Sequence, residues 1–340
     1  MKKILVLGGG GFIGRNIVQY LIERGDCIVT AADIKEGSNW KILRDKNPDK
    51  FKSLIADFTK KKSFDNFDSR FDEIYFMAAV VGVNNALKNP YEVLKVNTLL
   101  TMNMIEWIKR NPIKRILFAS SSENYAGTSD ISKMDIPTSE NVPLCITDIK
   151  QPRWTYAISK IHGESAFIHA SKANNFETVI IRNHNIIGPN MGFVHVIPHI
   201  IERFVRLQES PFKIYGYDQT RSFCFIDDAV EGIVGAMECK EANGEIYHIG
   251  NSQEISMEKL SMYLGNLVGY AGEYKRAITF PNSVSRRCPN INKAKKDFHY
   301  SPKISWEDSV YLTAEWYINF FKSGNKPTLG GFKPPEFFSK

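Results

Sequence analysis

Apolar residues fall along the first half of the chain in short unbroken runs separated by amphipathic stretches. Ile4-Leu-Val-Leu7, Cys27-Ile-Val-Thr-Ala-Ala32, Ser53-Leu-Ile-Ala-Asp57, Glu73-Ile-Tyr-Phe-Met-Ala-Ala79, Arg115-Ile-Leu-Phe-Ala119 and Glu177-Thr-Val-Ile-Ile181 have the length and content of strands buried on both faces. Between them, Arg15 to Arg24 carries Ile17, Val18, Leu21 and Ile22 at helical spacing, and Pro90–Arg110 and Trp154–Ala173 read as longer helices. This alternation predicts an α/β fold with a doubly wound parallel sheet and right-handed crossovers. It breaks down after Ile181: 183–190 is loop-like, 194–207 helical, and 213–226 rich in aromatics and turns. The expected division is therefore a doubly wound domain over 1–182, with 222–250 returning to it, and a smaller C-terminal domain from 183–221 and 251–322. The stretch 323–340, with its Pro and Gly, reads as a loosely held tail.

Composition narrows the class without naming it. A chain of 340 residues with 43% hydrophobic and 24% charged residues is an ordinary globular protein, and its net charge of +7 points to an anionic partner. The lysines are scattered apart from Lys60-Lys-Lys62, and no basic stripe interleaved with aromatics argues for nucleic acid. Cys27, Cys145, Cys224, Cys239 and Cys288 form no C-x-x-C pair and no cluster with histidine, so reduced thiols and no metal site are expected. The apolar run after Lys2-Lys3 is cut short by glycines, and no stretch reaches the roughly 18 apolar residues of a spanning helix. A soluble cytoplasmic protein without membrane contact is the expectation.

The first strand leads directly into Gly8-Gly-Gly-Gly11-Phe-Ile-Gly14 and then a helix. Strand, glycine turn and helix make a phosphate cradle: the helix start has unpaired N–H groups and the positive end of its dipole, and glycine lets a pyrophosphate lie against the backbone. Gly9, Gly11 and Gly14 fit G-x-G-x-x-G, and Gly8, Gly11 and Gly14 fit G-x-x-G-x-x-G, so the glycines alone do not choose between dinucleotide families. Asp33 ends the second strand where an acid takes the ribose hydroxyls, which favours NAD; Arg15 is the residue that would instead welcome a 2′-phosphate. The carboxyl ends of the next strands nominate Asp57 and Phe58 for the adenine, and Ala78 and Ala79 for close approach to the dinucleotide. Tight helix packing is the competing account of the two alanines.

Leu117-Phe-Ala-Ser120-Ser121-Ser122-Glu123 closes a strand with three hydroxyls and an acid, and Tyr156-Ala-Ile-Ser-Lys160 follows about 35 residues on. The tyrosine and lysine are one helical turn apart on one face. A neighbouring ammonium lowers a phenol's pKa, so Tyr156 is the candidate base for an alcohol losing hydride, with Ser121 steadying the oxygen. Tyr91-Glu-Val-Leu-Lys95 has the same spacing without a hydroxyl-tipped strand before it and reads as helix surface.

These pieces, with Gly163-Glu164, Arg182-Asn-His-Asn-Ile-Ile-Gly-Pro189, Arg221-Ser-Phe-Cys-Phe-Ile-Asp227 and Arg287-Cys-Pro-Asn-Ile291, resemble the extended short-chain dehydrogenase/reductases that act on nucleotide sugars. They run in that family's order over about nine tenths of the chain. The resemblance implies a Rossmann-like fold and tightly held NAD on Gly8, Gly11, Phe12, Ile13 and Gly14. It implies Ser121, Tyr156 and Lys160 as catalytic residues, Lys160 also holding the nicotinamide ribose. For a nucleotide-diphosphate sugar it implies contacts from Ser122, Asn185, Arg221 and Arg287. It further implies a homodimer whose apolar seam is Leu99, Leu100, Met104 and Ile108 with Ile161 and Phe167. Leu7, Phe76-Met77, Asn124 and Ala126 depart from the family's usual residues without touching the serine, tyrosine or lysine. His184 reads as structural or as an acid–base candidate.

Members of that family open by moving hydride from the sugar's C4 to NAD. Glu123, two residues after Ser121, stands where 4,6-dehydratases and decarboxylases carry a glutamate, and it also occurs in members called epimerases. The expectation is an epimerase or dehydratase, then a decarboxylase, then a net 4-dehydrogenase. A non-catalytic dinucleotide sensor is the alternative from another class.

Overall fold

The computed structural model describes residues 1–67, 70–131, 134–278 and 284–326. In chain order its elements are β1 (Lys2–Leu7), α1 (Phe12–Arg24), β2 (Cys27–Asp33), α2 (Trp40–Lys46), β3 (Phe51–Ile55), β4 (Glu73–Phe76), α3 (Val83–Lys88), α4 (Pro90–Arg110), β5 (Arg115–Ser121), α5 (Ala126–Ile131), α6 (Trp154–Asn174) and β6 (Glu177–Asn183). Then come β7 (Ile186–Ile187), α7 (Val196–Val205), β8 (Phe212–Tyr215), β9 (Thr220–Ser222), β10 (Cys224–Phe225), α8 (Ile226–Glu238), β11 (Ile246–Ile249), β12 (Glu254–Ser256), α9 (Met257–Val268), β13 (Tyr274–Ala277), β14 (Arg286–Arg287), α10 (Asn292–Phe298) and α11 (Trp306–Lys322).

Among the described residues, seven strands form one parallel sheet in the order β11-β6-β5-β4-β1-β2-β3. The order reverses beside β1, the crevice where ligands of such sheets bind. Successive residues of β1 enter opposite faces: Ile4 and Val6 join the core shared with α1 and α8, whereas Leu5 and Leu7 join the core shared with α4 and α6. Both faces are covered by helices, so these strands are continuously apolar. From Cys224 on, α8 and β11 pack with this sheet: Cys224, Phe225 and the buried face of α8 join its core, and β11 pairs with β6.

A separate core joins α7, α9 and α11 with Phe212, Ile214, Phe223 and Ile255. Residues 291–304 depart from the expected division: Ile291, Ala294, Phe298, Tyr300 and Ile304 pack with the sheet's core, and the Phe298 ring meets Tyr247 edge-on at 5.0 Å. Short polar stretches around α10 conceal that return in the sequence. Of the expected tail, 327–340 lies outside the described residues.

The expected dimer seam also needs correction. Leu100, Met104, Ile108 and Phe167 are buried in the chain's own core, because the apolar stripe of α4 faces the sheet and α6. Tyr91, Leu99 and Met102 are the large apolar residues of α4 left exposed. No helix among the described residues is long and apolar enough to cross a membrane, and no group of three or more His, Cys, Asp or Glu is placed to hold a metal.

Candidate active site

The glycine turn is built by exclusion. Gly8 has φ +87°, and a Cβ there would lie 2.5 Å from the Ala78 nitrogen; a Cβ on Gly14 would lie 2.1 Å from the Gly8 oxygen. The turn is therefore folded onto itself and onto the end of β4 with no room for side chains. Ala78 is explained by that packing, whereas Ala79 lines the cavity in front of it. α1 begins at Phe12 with no side-chain cap and no acid in its first turn, which leaves its N-terminal donors to an anion.

Asp33 ends β2 above this turn. Its carboxylate accepts from the backbone N–H of Gly10 at 3.0 Å and of Ile34 at 2.7 Å. Arg15, the rival indicator of a 2′-phosphate, donates instead to the carbonyls of Pro189 and Asn190 at 3.1 and 2.9 Å. Asp57 accepts from the hydroxyl and N–H of Thr59 at 2.6 and 3.1 Å. The Phe58 ring is buried, stacked on Phe67 at 5.4 Å and edge-on to Phe64 at 5.1 Å, and its carbonyl accepts from the Asn103 amide at 3.1 Å.

A cavity of about 760 Å³ runs from this turn to the second core. Gly8, Gly11, Phe12, Ile13 and Gly14 line one end; Ser121, Ser122, Glu123, Tyr156 and Lys160 line the middle; Asn185, Arg221 and Arg287 line the wall opposite. Segments from the two ends and the middle of the chain thus meet in one crevice. Asn185 takes φ +41° and donates to the Ser222 carbonyl at 2.9 Å, which pins the β6–β7 connection to β9.

The Ser121 hydroxyl is hydrogen-bonded to Tyr156 and accepts from the Glu123 N–H at 3.2 Å. Lys160 donates to the Ala119 carbonyl at 2.7 Å, with Nζ 5.8 Å from the centre of the Tyr156 ring. Burial raises the Tyr156 phenol well above its ordinary range, against the Ser121 hydrogen bond and with the help of the Glu123 charge. Burial lowers Lys160 to about 7, the Glu164 charge opposing. Desolvation outweighs the ammonium's expected lowering of the phenol, because both groups are enclosed and the Lys160 side chain is directed at a carbonyl.

Glu123 is held by arginines. Arg287 donates to it at 2.6 Å, and the Arg153 guanidinium stands 3.7 Å from its other oxygen. Burial would raise this carboxyl, but the charges of Arg287, Arg153 and Arg221 prevail and hold it below the usual range. Burial, with Arg287 next to it, lowers Arg221 to about 10.

Beneath the serine loop lies a buried polar network. Glu164 receives two N–H groups of Arg182, at 2.9 and 2.6 Å, the Ser120 hydroxyl at 2.5 Å and the Asn124 amide at 2.8 Å. Arg182 also reaches Tyr125, whose hydroxyl meets His248 at 2.6 Å. His184 sits behind this network, 4.5 Å from the His248 ring, and lines a small cavity with Ser122 rather than the main one. Burial, then the neighbouring His248, Arg287 and Arg182, keep His184 neutral, which suits a structural role. Arg153 and the Glu164–Arg182 pair were missed as site-building residues. The signal for Arg153 was its place one turn before Tyr156; for the pair, it was polar residues within apolar surroundings.

Fold and site together define a dinucleotide-binding enzyme whose serine, tyrosine and lysine face the end of a phosphate cradle. Residues 4–250 match the NAD dependent epimerase/dehydratase family, and the chain belongs to that family. Its cofactor is NAD, which the closed glycine turn, the uncapped α1 and Asp33 fit. Similar proteins include a UDP-N-acetyl-alpha-D-glucosaminuronate decarboxylase of Bacillus cytotoxicus, 26% identical over 93% of this chain and 98% of that protein. A UDP-glucuronate 4-epimerase of Thermodesulfobacterium geofontis is 26% identical over 93% and 96%. The fold is also that of the Bacillus cereus UDP-glucuronic acid 4-epimerase solved with UDP-glucuronic acid and NAD: TM-score 0.79, 23% identity, 94% of this chain and 99% of that one.

Proposed function

We propose that the protein oxidises C4 of a nucleoside-diphosphate sugar with NAD and completes the cycle as a 4-epimerase. The observation that carries this reading is the convergence of Ser121, Tyr156 and Lys160 beside the glycine cradle, in one cavity with Arg221 and Arg287. Gly8, Gly11, Gly14 and the α1 N-terminus would hold the pyrophosphate, Asp33 the adenosine ribose and Lys160 the nicotinamide ribose. Asp57, Phe58, Ala78 and Ala79 would border the dinucleotide. Bound NAD supplies the hydride acceptor and, in its oxidised ring, a positive charge that favours the tyrosinate. Tyr156 takes the proton of the C4 hydroxyl while Ser121 holds the same oxygen, and Lys160 stabilises the phenolate. Asn185 and Ser122 would position the sugar, and Arg221 and Arg287 the diphosphate, since a planar fork binds phosphate oxygens in pairs.

A dehydratase needs a strong base for the proton at C5. Glu123, paired with Arg287 and depressed below the usual carboxylate range, is a weak one. Its arrangement favours an orienting role, and with it the outcomes that need no carboxylate base. Decarboxylation is the second reading: a carboxylate β to the new ketone leaves without base assistance, and the Bacillus cytotoxicus relative is named for that reaction. We place the enzyme in the cytoplasm as a homodimer, in the supply of sugars for cell-surface polysaccharide. Releasing the bound compounds from denatured protein and identifying them by mass spectrometry tests the assignment. NAD and a nucleotide sugar are expected, and Tyr156→Phe should keep the NAD but lose turnover. A variant with undiminished turnover would remove Tyr156 as the base.

A further inference from the structure

The phosphate cradle opens on four consecutive glycines, Gly8 to Gly11, although either glycine spacing needs only two of those positions to be glycine. The Gly9–Gly10 peptide therefore has no Cβ on either side to hinder a flip of its plane. Freedom of that kind is lost when a ligand is gripped, so a loop held beforehand grips better. Two side chains from outside the turn hold this one. The Trp40 indole N–H donates to the Gly9 carbonyl at 3.2 Å, and the Asp33 carboxylate accepts from the Gly10 N–H at 3.0 Å. One peptide is thus held at both of its polar ends. Turned over, it would set its carbonyl against the Asp33 carboxylate and its N–H against the indole N–H, two like pairs in place of two hydrogen bonds.

Local packing brings Trp40 to this place. It is the first residue of α2, fully buried in the core shared by β1, β2 and α1, and its ring meets Phe51 of β3 edge-on at 6.4 Å. Gly37 lets the chain pass close behind the ring, since a Cβ there would lie 2.5 Å from Nε1. Beside it, the Asn39 amide donates to the Arg15 carbonyl of α1 at 3.4 Å. A buried indole N–H needs a partner, and here that partner is a carbonyl of the cradle. Asp33 is fixed in turn. One of its oxygens takes the Gly10 N–H and the other the Ile34 N–H at 2.7 Å, and each keeps a further acceptor site for a ribose hydroxyl.

We propose that Trp40 is a positioning residue for NAD: by locking the Gly9–Gly10 peptide it fixes the Asp33 carboxylate in the orientation that takes the adenosine ribose. The assignment rests on Asp33 being the ribose acid. The indole is enclosed in the core, so it acts through the peptide and not by contact with the dinucleotide. Its effect falls on how long NAD is held rather than on the hydride transfer.

The test follows the exchange of enzyme-bound NAD with isotope-labelled NAD, read by mass spectrometry, in wild type, Trp40→Phe, Asp33→Ala and the double variant. Trp40→Phe keeps an aromatic ring and removes the N–H, and it should release NAD about tenfold faster. Asp33→Ala should speed release by at least as much. The double variant should fall short of the product of the two effects, because both side chains hold one peptide. A Trp40→Phe protein that loses melting temperature but exchanges NAD at the wild-type rate has lost a purely structural tryptophan, and that overturns the proposal. So does a double variant that shows the full product. Asp33→Ala with the wild-type rate removes Asp33 as the ribose acid, and Trp40 as its support, while leaving NAD as the cofactor. A second readout needs no change at Trp40. In Asp33→Ala the Trp40 indole N–H, observed by NMR, should exchange with solvent about tenfold faster than in wild type, because the peptide it binds is then held at one end. An unchanged indole rate overturns the clamp even if Trp40→Phe does not fold.

Discussion

Arg287 donates to Glu123 at 2.6 Å, so a residue matched to the phosphate grip and a residue matched to the acid–base position are bonded to each other. A carboxylate held this way remains ionised well into acid, and for the same reason it accepts a carbon-bound proton poorly. Turnover in deuterated water reads the consequence. An epimerase product carries no solvent deuterium and has unchanged mass. A decarboxylase product gains deuterium at C5 and loses carbon dioxide, and a dehydratase product gains deuterium and loses water. We expect no product short of one water, and Glu123→Gln should retain turnover within about tenfold because the amide still accepts from Arg287.

Asp33 should govern the choice of dinucleotide. Removing its carboxylate in Asp33→Ala deletes a charge-assisted acceptor and should weaken NAD by about tenfold or more. NADP should gain only modestly, since Arg15 stays bonded to Pro189 and Asn190. Titration calorimetry with both dinucleotides checks this; a variant that prefers NADP strongly would show that Arg15 leaves those carbonyls.

Lys160 makes stability depend on pH. Burial puts its folded pKa at about 7, below the unfolded value, so between the two the unfolded chain binds more protons than the native one. The penalty is fully present below about pH 7 and is relieved as pH rises toward the ordinary lysine range. NAD-free protein should therefore gain melting temperature on going from pH 6.5 to 9 through this group. Lys160→Met should flatten that rise, and melting curves of both proteins across the window decide it.

Glu164→Ala should be among the most destabilising single changes. It leaves Arg182 as an uncompensated buried charge and frees Ser120 and Asn124, at a cost of about 3–5 kcal/mol. Urea unfolding measures the loss. Activity should fall in parallel, because the strand end that carries Ser121 would no longer be fixed from below.

If a second copy docks on the middle of α4, it meets Leu99 and Met102, two exposed apolar side chains of that helix. Light scattering at micromolar concentration should give a dimer, and Leu99→Glu with Met102→Glu should give a monomer with unchanged circular dichroism.

The sheet was legible because strands buried on both faces leave unbroken apolar runs, and the helix bounds Pro90–Arg110 agree with the expectation residue for residue. That Ser121, Tyr156 and Lys160 would share one cavity was legible because helical spacing and strand ends are local. The dimer seam was misread for a physical reason: an apolar stripe that faces its own sheet has the same periodicity as one that faces a partner. Leu100 and Met104 differ from Leu99 and Met102 only in which way the helix is turned. The Glu164–Arg182–Ser120 network joins three segments and carries no period at all. The direction of the Phe58 ring likewise carries no local signal, since it is set by Phe64 and Phe67.

Arg287 and Arg221 are paired residues on the parallel strands β14 and β9, and β9 is in turn flanked on its other side by β12. Like charges placed side by side on a ladder weaken it. A doubly anionic ligand that bridges the two removes the repulsion and ties together strands from two distant parts of the chain. Substrate would then act as a rivet in this small sheet, and the backbone amides of 220–222 and 286–287 would exchange their hydrogens more slowly when it is in place.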